Sequence, residues 1–423
     1  MLGEVPSGWT REPLRNVGQF LKCQGGSKKD DVSAGVPVVR YGQLYTRYDT
    51  VIREFYTFVD TERATAYTPL ERGDVLFAGS GETLGDIGKG AVVLSDGGAR
   101  GSGDLILLRP SPTVDPLFLG YAINSPDAVA QKVRLGQGSS IYHISADRLA
   151  GVSIAVPPLP EQKKIAAILS SVDEAIQATQ AVIDQTRRVK EGLLQDLLTR
   201  GIGHTRFKQT EIGEIPEGWE VCRLVELARD ERSSFVNGPF GSDLLTEELN
   251  DSEGVPVVYI RDIVGGTYRR AKPIFVTPDK ARELDSFRVD AGDLLVTKVG
   301  DPPAACAIYP RNEPPGIITQ DVMRLRVGRR VTAEWLQAAL TSPRGREAIS
   351  KITIQGTRMR VSLGAFKAVK VAVPPIAEQQ SICSSLASIT ASCGENAQQV
   401  ERLSAVKSGL LTDLLTGKVR VTP

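Results

Sequence analysis

The chain has 423 residues, with 51 Lys and Arg against 50 Asp and Glu and a formal net charge of +1. That balance excludes a polycation holding nucleic acid by bulk charge, so any such contact must come from local basic patches. The 41% hydrophobic and 24% charged fractions are those of a folded globular protein, and the length suits roughly two to four domains.

Met1–Pro6 carries neither a basic segment nor an apolar one, and no long apolar run follows anywhere, so a cytoplasmic protein without a membrane span is expected. The five cysteines (Cys23, Cys222, Cys306, Cys383, Cys393) show no CxxC spacing, and His143 and His204 are the only histidines. Reduced structural thiols, no metal and no cofactor are therefore expected, and a histidine-based catalytic relay is disfavoured.

Short β-branched runs bounded by turn residues, such as Val36–Tyr41, Asp74–Ala78 and Ala91–Leu94, predict a mixed, strand-rich domain over residues 1–156. Pro157-Pro158 opens one long helix, with Pro160 and Glu161 suited to its first turn. Along it Ile165, Ile168, Val172, Ile176, Thr179, Ile183 and Thr186 recur as a heptad seam with one stutter, and Leu193 and Leu197 are expected to continue it. Residues 157–203 are thus read as a spacer helix of about 39 residues, roughly 58 Å long.

The chain then begins again. Glu4-Val5-Pro6-Ser7-Gly8-Trp9 returns as Glu214-Ile215-Pro216-Glu217-Gly218-Trp219, and Gly35–Val39 returns unchanged as Gly254–Val258. Val156-Pro157-Pro158-Leu159-Pro160-Glu161-Gln162 is answered by Val373-Pro374-Pro375-Ile376-Ala377-Glu378-Gln379. Val189–Thr199 matches 406–416 at nine of eleven positions, which makes duplication the only economical reading. A second domain over 204–373 and a second spacer helix over 374–423 follow, the helix carrying the same stutter through Ile382, Ile389 and Cys393. Chain order makes the two helices antiparallel. The predicted fold is α+β: two similar mixed α/β domains separated by a pair of long coiled-coil helices, in a pseudo-two-fold and nearly circular arrangement.

Two segments resemble parts of an enzyme. Phe77-Ala78-Gly79-Ser80-Gly81 looks like the cofactor loop of S-adenosylmethionine methyltransferases, and Asp301-Pro302-Pro303-Ala304 looks like their catalytic loop. The repeat aligns both to one location in two different domains, and Ala304 lacks the ring that would stack on a flipped base. Gly85–Gly90 lacks the spacing of a phosphate loop.

From Arg324 to Lys370 the chain has eleven Lys and Arg opposed only by Glu334 and Glu347, a local +9 read as a phosphate-contacting stretch rather than a solvated face. Polar loops at matched places, Gln137–His143 and Gln355–Arg360, supply donors and acceptors suited to base edges. The candidate DNA contacts are Arg134, Gln137, Ser139, Ser140, Tyr142 and His143 in the first domain. In the second they are Arg344, Arg346, Lys351, Gln355, Thr357, Arg358 and Arg360. Tyr41 and Gln43 are weaker candidates. Gly192 and Gly409 sit inside strongly helical runs at a cost of about 1 kcal/mol each, which points to close approach of another helix.

A duplicated domain, each copy entering a long helix through "PPLPEQ" or "PPIAEQ" and leaving through "GLLQDLLT" or "GLLTDLLT", resembles the specificity subunit of type I restriction–modification enzymes. The "IPEGW"-like segments at 5–9 and 215–219 and "GDVLFAGSGETLG" at 73–85 carry the same likeness. The second copy reads "GDLLVTKVGDPPA" and departs from the pattern there. The resemblance implies two target-recognition domains that each read half of a bipartite double-stranded DNA site. It also implies helices that dock two modification (methyltransferase) subunits, which in turn recruit restriction subunits, with no chemistry in the chain itself. On that reading Gln162, Ile165, Gly192, Leu193, Leu197, Gln379, Ile382, Gly409, Leu410 and Leu414 are the docking candidates. The rivals are a DNA adenine methyltransferase fused to its own recognition domain and a structural coiled-coil adaptor.

Overall fold

The structure, a computed structural model, describes residues 5–138 and 142–421. The chain forms two compact units, Met1–Ala181 with Asn396–Pro423, and Val182–Glu395. The first unit therefore holds the start of the first long helix and the end of the second. The second unit holds the remaining half of each.

In the first unit a five-stranded sheet runs Gly18–Lys22, Leu105–Pro110, Val75–Ala78, Gly90–Val93, Val51–Ile52. Its first four strands are antiparallel and Val51–Ile52 joins in parallel. Val75–Ala78 is buried on both faces, hence its unbroken apolar sequence. A second five-stranded sheet contains Val36–Val39, parallel to Arg100–Gly101. The other unit repeats the plan. Phe235–Asn237, Val322–Leu325, Leu294–Thr297 and Cys306–Ile308 form an antiparallel sheet, and Val255–Val258 lies parallel to Gly316–Ile318 in a second one. A capped helix packs on each: Pro126–Leu135 behind Ser125 and Pro343–Lys351 behind Ser342, each cap accepting from the third backbone N–H after it.

Each globular part is closed by pairing its first strand with its last, Thr10–Pro13 with Ser153–Val156 and Glu220–Arg223 with Lys370–Val373. The long helices start directly afterwards, Leu159–Arg200 with 42 residues and Ile376–Leu415 with 40.

Their anchoring explains the repeated Glu-Gln. The buried Gln162 amide accepts from Asp115 N at 2.8 Å and donates to the Pro157 carbonyl at 2.8 Å. Gln379 does the same with Thr332 N and the Pro374 carbonyl. Beside them, Glu161 accepts from Trp9 Nε1 at 3.0 Å and from Arg420 Nε at 2.9 Å. Glu378 accepts from Trp219 Nε1 at 3.0 Å and faces His204 Nε2 at 2.8 Å. The Arg420 guanidinium, with help from Trp9, holds the Glu161 carboxyl below the usual carboxylate range.

Within each unit the helix halves run antiparallel. In the first, Ile165 and Leu169 share a core with Leu414 and Leu415, while Asp173 pairs with Lys407 further along. In the second, Leu194, Leu197 and Leu198 pack with Ile382 and Leu386. The seam differs from the sequence expectation after Lys190. Leu194 and Leu198 face inward and Leu193 is 38% exposed, because a second pair of four-residue steps, Thr186 to Lys190 to Leu194, advances the inward stripe by one residue.

No helix among the described residues is long and apolar enough to cross a membrane.

Candidate nucleic-acid interface

The antiparallel registers bring four loops to one end of each main sheet. In the first unit Lys22, Leu105, Ala78 and Gly90 mark that end. The loops beyond it are Cys23–Lys29, Ser102–Asp104 and Gly79–Lys89, and Gly103 N donates to the Gly25 carbonyl at 2.9 Å to tie two of them together. The fourth loop arrives from the Pro126–Leu135 helix. Its strand Tyr142–His143 pairs antiparallel with Ser80–Gly81, and Gln137 and His143 exchange backbone hydrogen bonds of 3.0 and 2.7 Å. Ser80 Oγ lies 2.9 Å from His143 Nδ1, and the Tyr45 hydroxyl donates to the Ser80 carbonyl. Gln137 and His143 are exposed and Tyr142 is half-buried; Arg134 is exposed one turn before the loop. Ser139 and Ser140 lie outside the described residues.

Beneath the Gly79–Lys89 loop, Lys132 is 1% exposed and donates to the Gly88 carbonyl at 2.8 Å. Burial pushes its ammonium down from 10.5 to about 7. Ile349 fills the corresponding place of the second unit, on the helix behind Ser342.

The second unit builds the same arrangement from different residues. Lys298–Ala304 leaves Leu294–Thr297, and Val299 bridges Arg360 antiparallel, with Val361 N donating to the Lys298 carbonyl at 3.0 Å. Val299, Asp321, Gln355, Thr357, Arg358 and Arg360 line a cavity of about 550 Å³. Gln355, Thr357, Arg358 and Arg360 are exposed, and among the described residues neither arginine has an ion-pair partner. Phe240, 72% exposed, stands on the loop after Phe235–Asn237 at the same sheet end. Its backbone is held by Asp243, whose carboxylate accepts from Phe240 N at 3.2 Å. Sequence reasoning missed Phe240, Lys298 and Ser80, since only the strand registers carry them to the candidate loops.

The other basic candidates are engaged inside the second unit. Arg346 donates to the Pro303 carbonyl at 2.8 Å and the Ala304 carbonyl at 3.1 Å, so it holds the Asp301–Ala304 loop. Arg344 donates to the Glu214 carbonyl at 3.1 Å, and Lys351 pairs with Glu347 at 2.7 Å; both border a separate cavity of about 590 Å³ beside Leu198 and Trp335. Three bases of the +9 stretch pair with acids distant in sequence. Arg326 pairs with Asp290 and Asp293, Arg330 with Glu220, and Lys370 with Glu211. Arg324 is buried and donates to the Arg288 and Ser233 carbonyls. Arg358 and Arg360 stand exposed at the loop, without an ion-pair partner among the described residues.

The docking candidates divide similarly. Gln162 and Gln379 spend their amides on their own unit, and Ile165, Ile382 and Leu414 are core residues. Leu197 and Leu410 are half-buried on the seam. Leu193, Val189 and Val406 are exposed, and a Cβ on Gly192 or Gly409 would meet nothing within 4 Å. Those glycines therefore do not serve packing inside the chain.

The two methyltransferase-like segments fall in different units, Phe77–Gly81 in one and Asp301–Ala304 in the other. Among the described residues no three His, Cys, Asp or Glu are grouped to hold a metal.

Residues 6–186 match the family model of the type I restriction modification DNA specificity domain. The type I restriction enzyme MjaVIII specificity subunit of Methanocaldococcus jannaschii is 26% identical over 99% of this chain and 94% of its own. The EcoKI specificity subunit of Escherichia coli is 22% identical over 99% and 90%. Among solved structures, a chain from a study of assembly and conformational transition of the type I R-M system aligns over 99% of this chain and 100% of its own, at 18% identity and a TM-score of 0.58. The type I restriction-modification S subunit from M. genitalium aligns over 100% and 99%, at 14% identity and a TM-score of 0.57. These two share the fold. Over nearly its whole length this chain is thus similar to specificity subunits of type I restriction–modification systems, and residues 6–186 match the DNA specificity domain of that family.

Proposed function

We propose that the chain is the DNA sequence-recognition subunit of a type I restriction–modification complex, with each unit reading one half of a bipartite site through its sheet-end loops. The observation that carries this is the twofold construction of one loop platform with different side chains. His143 and Gln137 stand on one copy, and Gln355, Thr357, Arg358 and Arg360 on the other. A shared scaffold with divergent tips suits two unlike half-sites, since base readout depends on tip chemistry. The exposed stripe around Val189, Gly192 and Leu193, repeated at Val406 and Gly409, docks the modification subunits, two in number, which carry the methyl-transfer chemistry and recruit restriction subunits. The chain contributes recognition and no catalysis.

The test is to purify the full chain alone and with methyltransferase subunits, then map adenine methylation. A two-part motif with a fixed gap, appearing only in the complex, is the expected result. Methyl transfer by the chain alone would establish the fused-enzyme alternative. A complex without sequence preference would leave a structural adaptor.

A further inference from the structure

The Ser80–His143 pair is a directional side-chain contact between the two loops of the first unit's interface, and it has a chemical consequence. Among the described residues Ser80 Oγ has no hydrogen-bond partner other than His143 Nδ1, at 2.9 Å. The Ser80 carbonyl already accepts from Tyr45, and the ladder pairing His143 with Ser80 fixes both backbones. Where the Ser80 hydroxyl donates to Nδ1, the ring carries its proton on Nε2. In that tautomer Nε2 is a donor, and His143 is exposed. A single N–H held at a set angle suits one acceptor on a base edge. The longer cations at this end, Lys28, Lys29 and Arg134, suit phosphate.

We propose that His143 reads the N7 acceptor of one purine in the major groove of the first unit's half-site, with Ser80 as its positioning residue. This rests on the recognition reading above and adds the base class and the atom read. Both purines present N7 as an acceptor in that groove. The second unit has Ser80's strand partner replaced by the Val299–Arg360 bridge, so the same contact is not expected there.

The experiment uses the full chain in complex with methyltransferase subunits and duplexes carrying its mapped site. Each purine of both half-sites is replaced in turn by its 7-deaza analogue, which keeps Watson–Crick pairing and removes N7. The wild-type complex should lose about five- to tenfold in affinity at one position, the size of one hydrogen bond left unmade. His143→Ala should bind the natural site more weakly by a similar factor and become indifferent to the analogue at that position only. Ser80→Ala should lose part of that sensitivity and Ser80→Thr should retain it, with the other half-site unchanged in every variant. A merely structural Ser80 would weaken all positions together. Sensitivity that survives in His143→Ala, no sensitive purine in either half-site, or a His143-dependent loss produced by methylphosphonate substitution instead, would each overturn the proposal. A wild-type complex that selects no site would overturn the recognition reading and this inference with it.

Discussion

Replacing Lys132 with Met tests whether a buried ammonium under the first unit's interface loop costs the fold stability. Among the described residues Lys132 has one polar partner, the Gly88 carbonyl, and its side chain lies beside Ile144 and Leu149. Burial lowers its pKa from 10.5 to about 7. At about 1.4 kcal/mol per unit, the shift corresponds to roughly 5 kcal/mol of penalty on the charged folded form. The sign follows from proton counting. Between pH 7 and 10.5 the unfolded chain holds this proton more fully than the folded one, so wild-type stability rises with pH across that window; below 7 both states are protonated and the whole penalty remains. Met keeps the volume and removes the charge, but leaves the Gly88 carbonyl without its donor, which costs about 1–3 kcal/mol. Lys132→Met should therefore be more stable than wild type by roughly 2–4 kcal/mol at pH 6.5. The advantage should shrink as pH rises and vanish or reverse near pH 10. Hydrogen exchange of first-unit peptides across a urea series reads this, with second-unit peptides as an internal reference. Parallel pH dependence in wild type and variant between 7 and 10 would refute the argument.

Arg358→Ala and Arg360→Ala should each weaken DNA binding by the complex. A base contact costs about 1–3 kcal/mol and relaxes specificity at one position, while a phosphate contact lowers affinity uniformly and makes the salt slope shallower; affinity titrations at two salt concentrations separate these. Arg346→Ala should instead destabilise the Asp301–Ala304 loop, because two carbonyls lose a charged donor, by about 1.5–3 kcal/mol; increased exchange of that loop before any change in DNA sequence preference is the expected order. Gly192→Leu and Gly409→Leu should leave folding of the free chain intact, since a Cβ there meets open space, and impair assembly with methyltransferase subunits in co-purification; loss of folding in the free chain would move both glycines to an internal role.

The family resemblance and the duplicated plan are legible in the sequence because their signals are local or periodic. Pro-Pro followed by Glu-Gln marks each helix start, the seam recurs with the same stutter, and identical strands such as Gly-Val-Pro-Val-Val stand at matched places. Alignment of the repeat also separated the two methyltransferase-like motifs into different domains. What each Glu-Gln does was not legible. The bonds of Glu161 reach back to Trp9 and forward to Arg420, and those of Gln379 reach Thr332.

The charged stretch shows the limit most clearly. Eleven basic residues within one window imply a positive face, yet Arg326, Arg330 and Lys370 are paired with Asp290, Asp293, Glu220 and Glu211, all outside the window. An ion pair depends on distance in space, so net charge along a window does not determine charge on a surface. The same holds for Leu193 and Leu194: periodicity locates the stripe, but a stutter leaves its phase open by one residue, and packing against Ile382 and Leu386 selects Leu194. Sequence alone determined the repeat, the helices and the polar loops; tertiary structure decided which side chains remain free to meet DNA, because only folding brings their internal partners within reach.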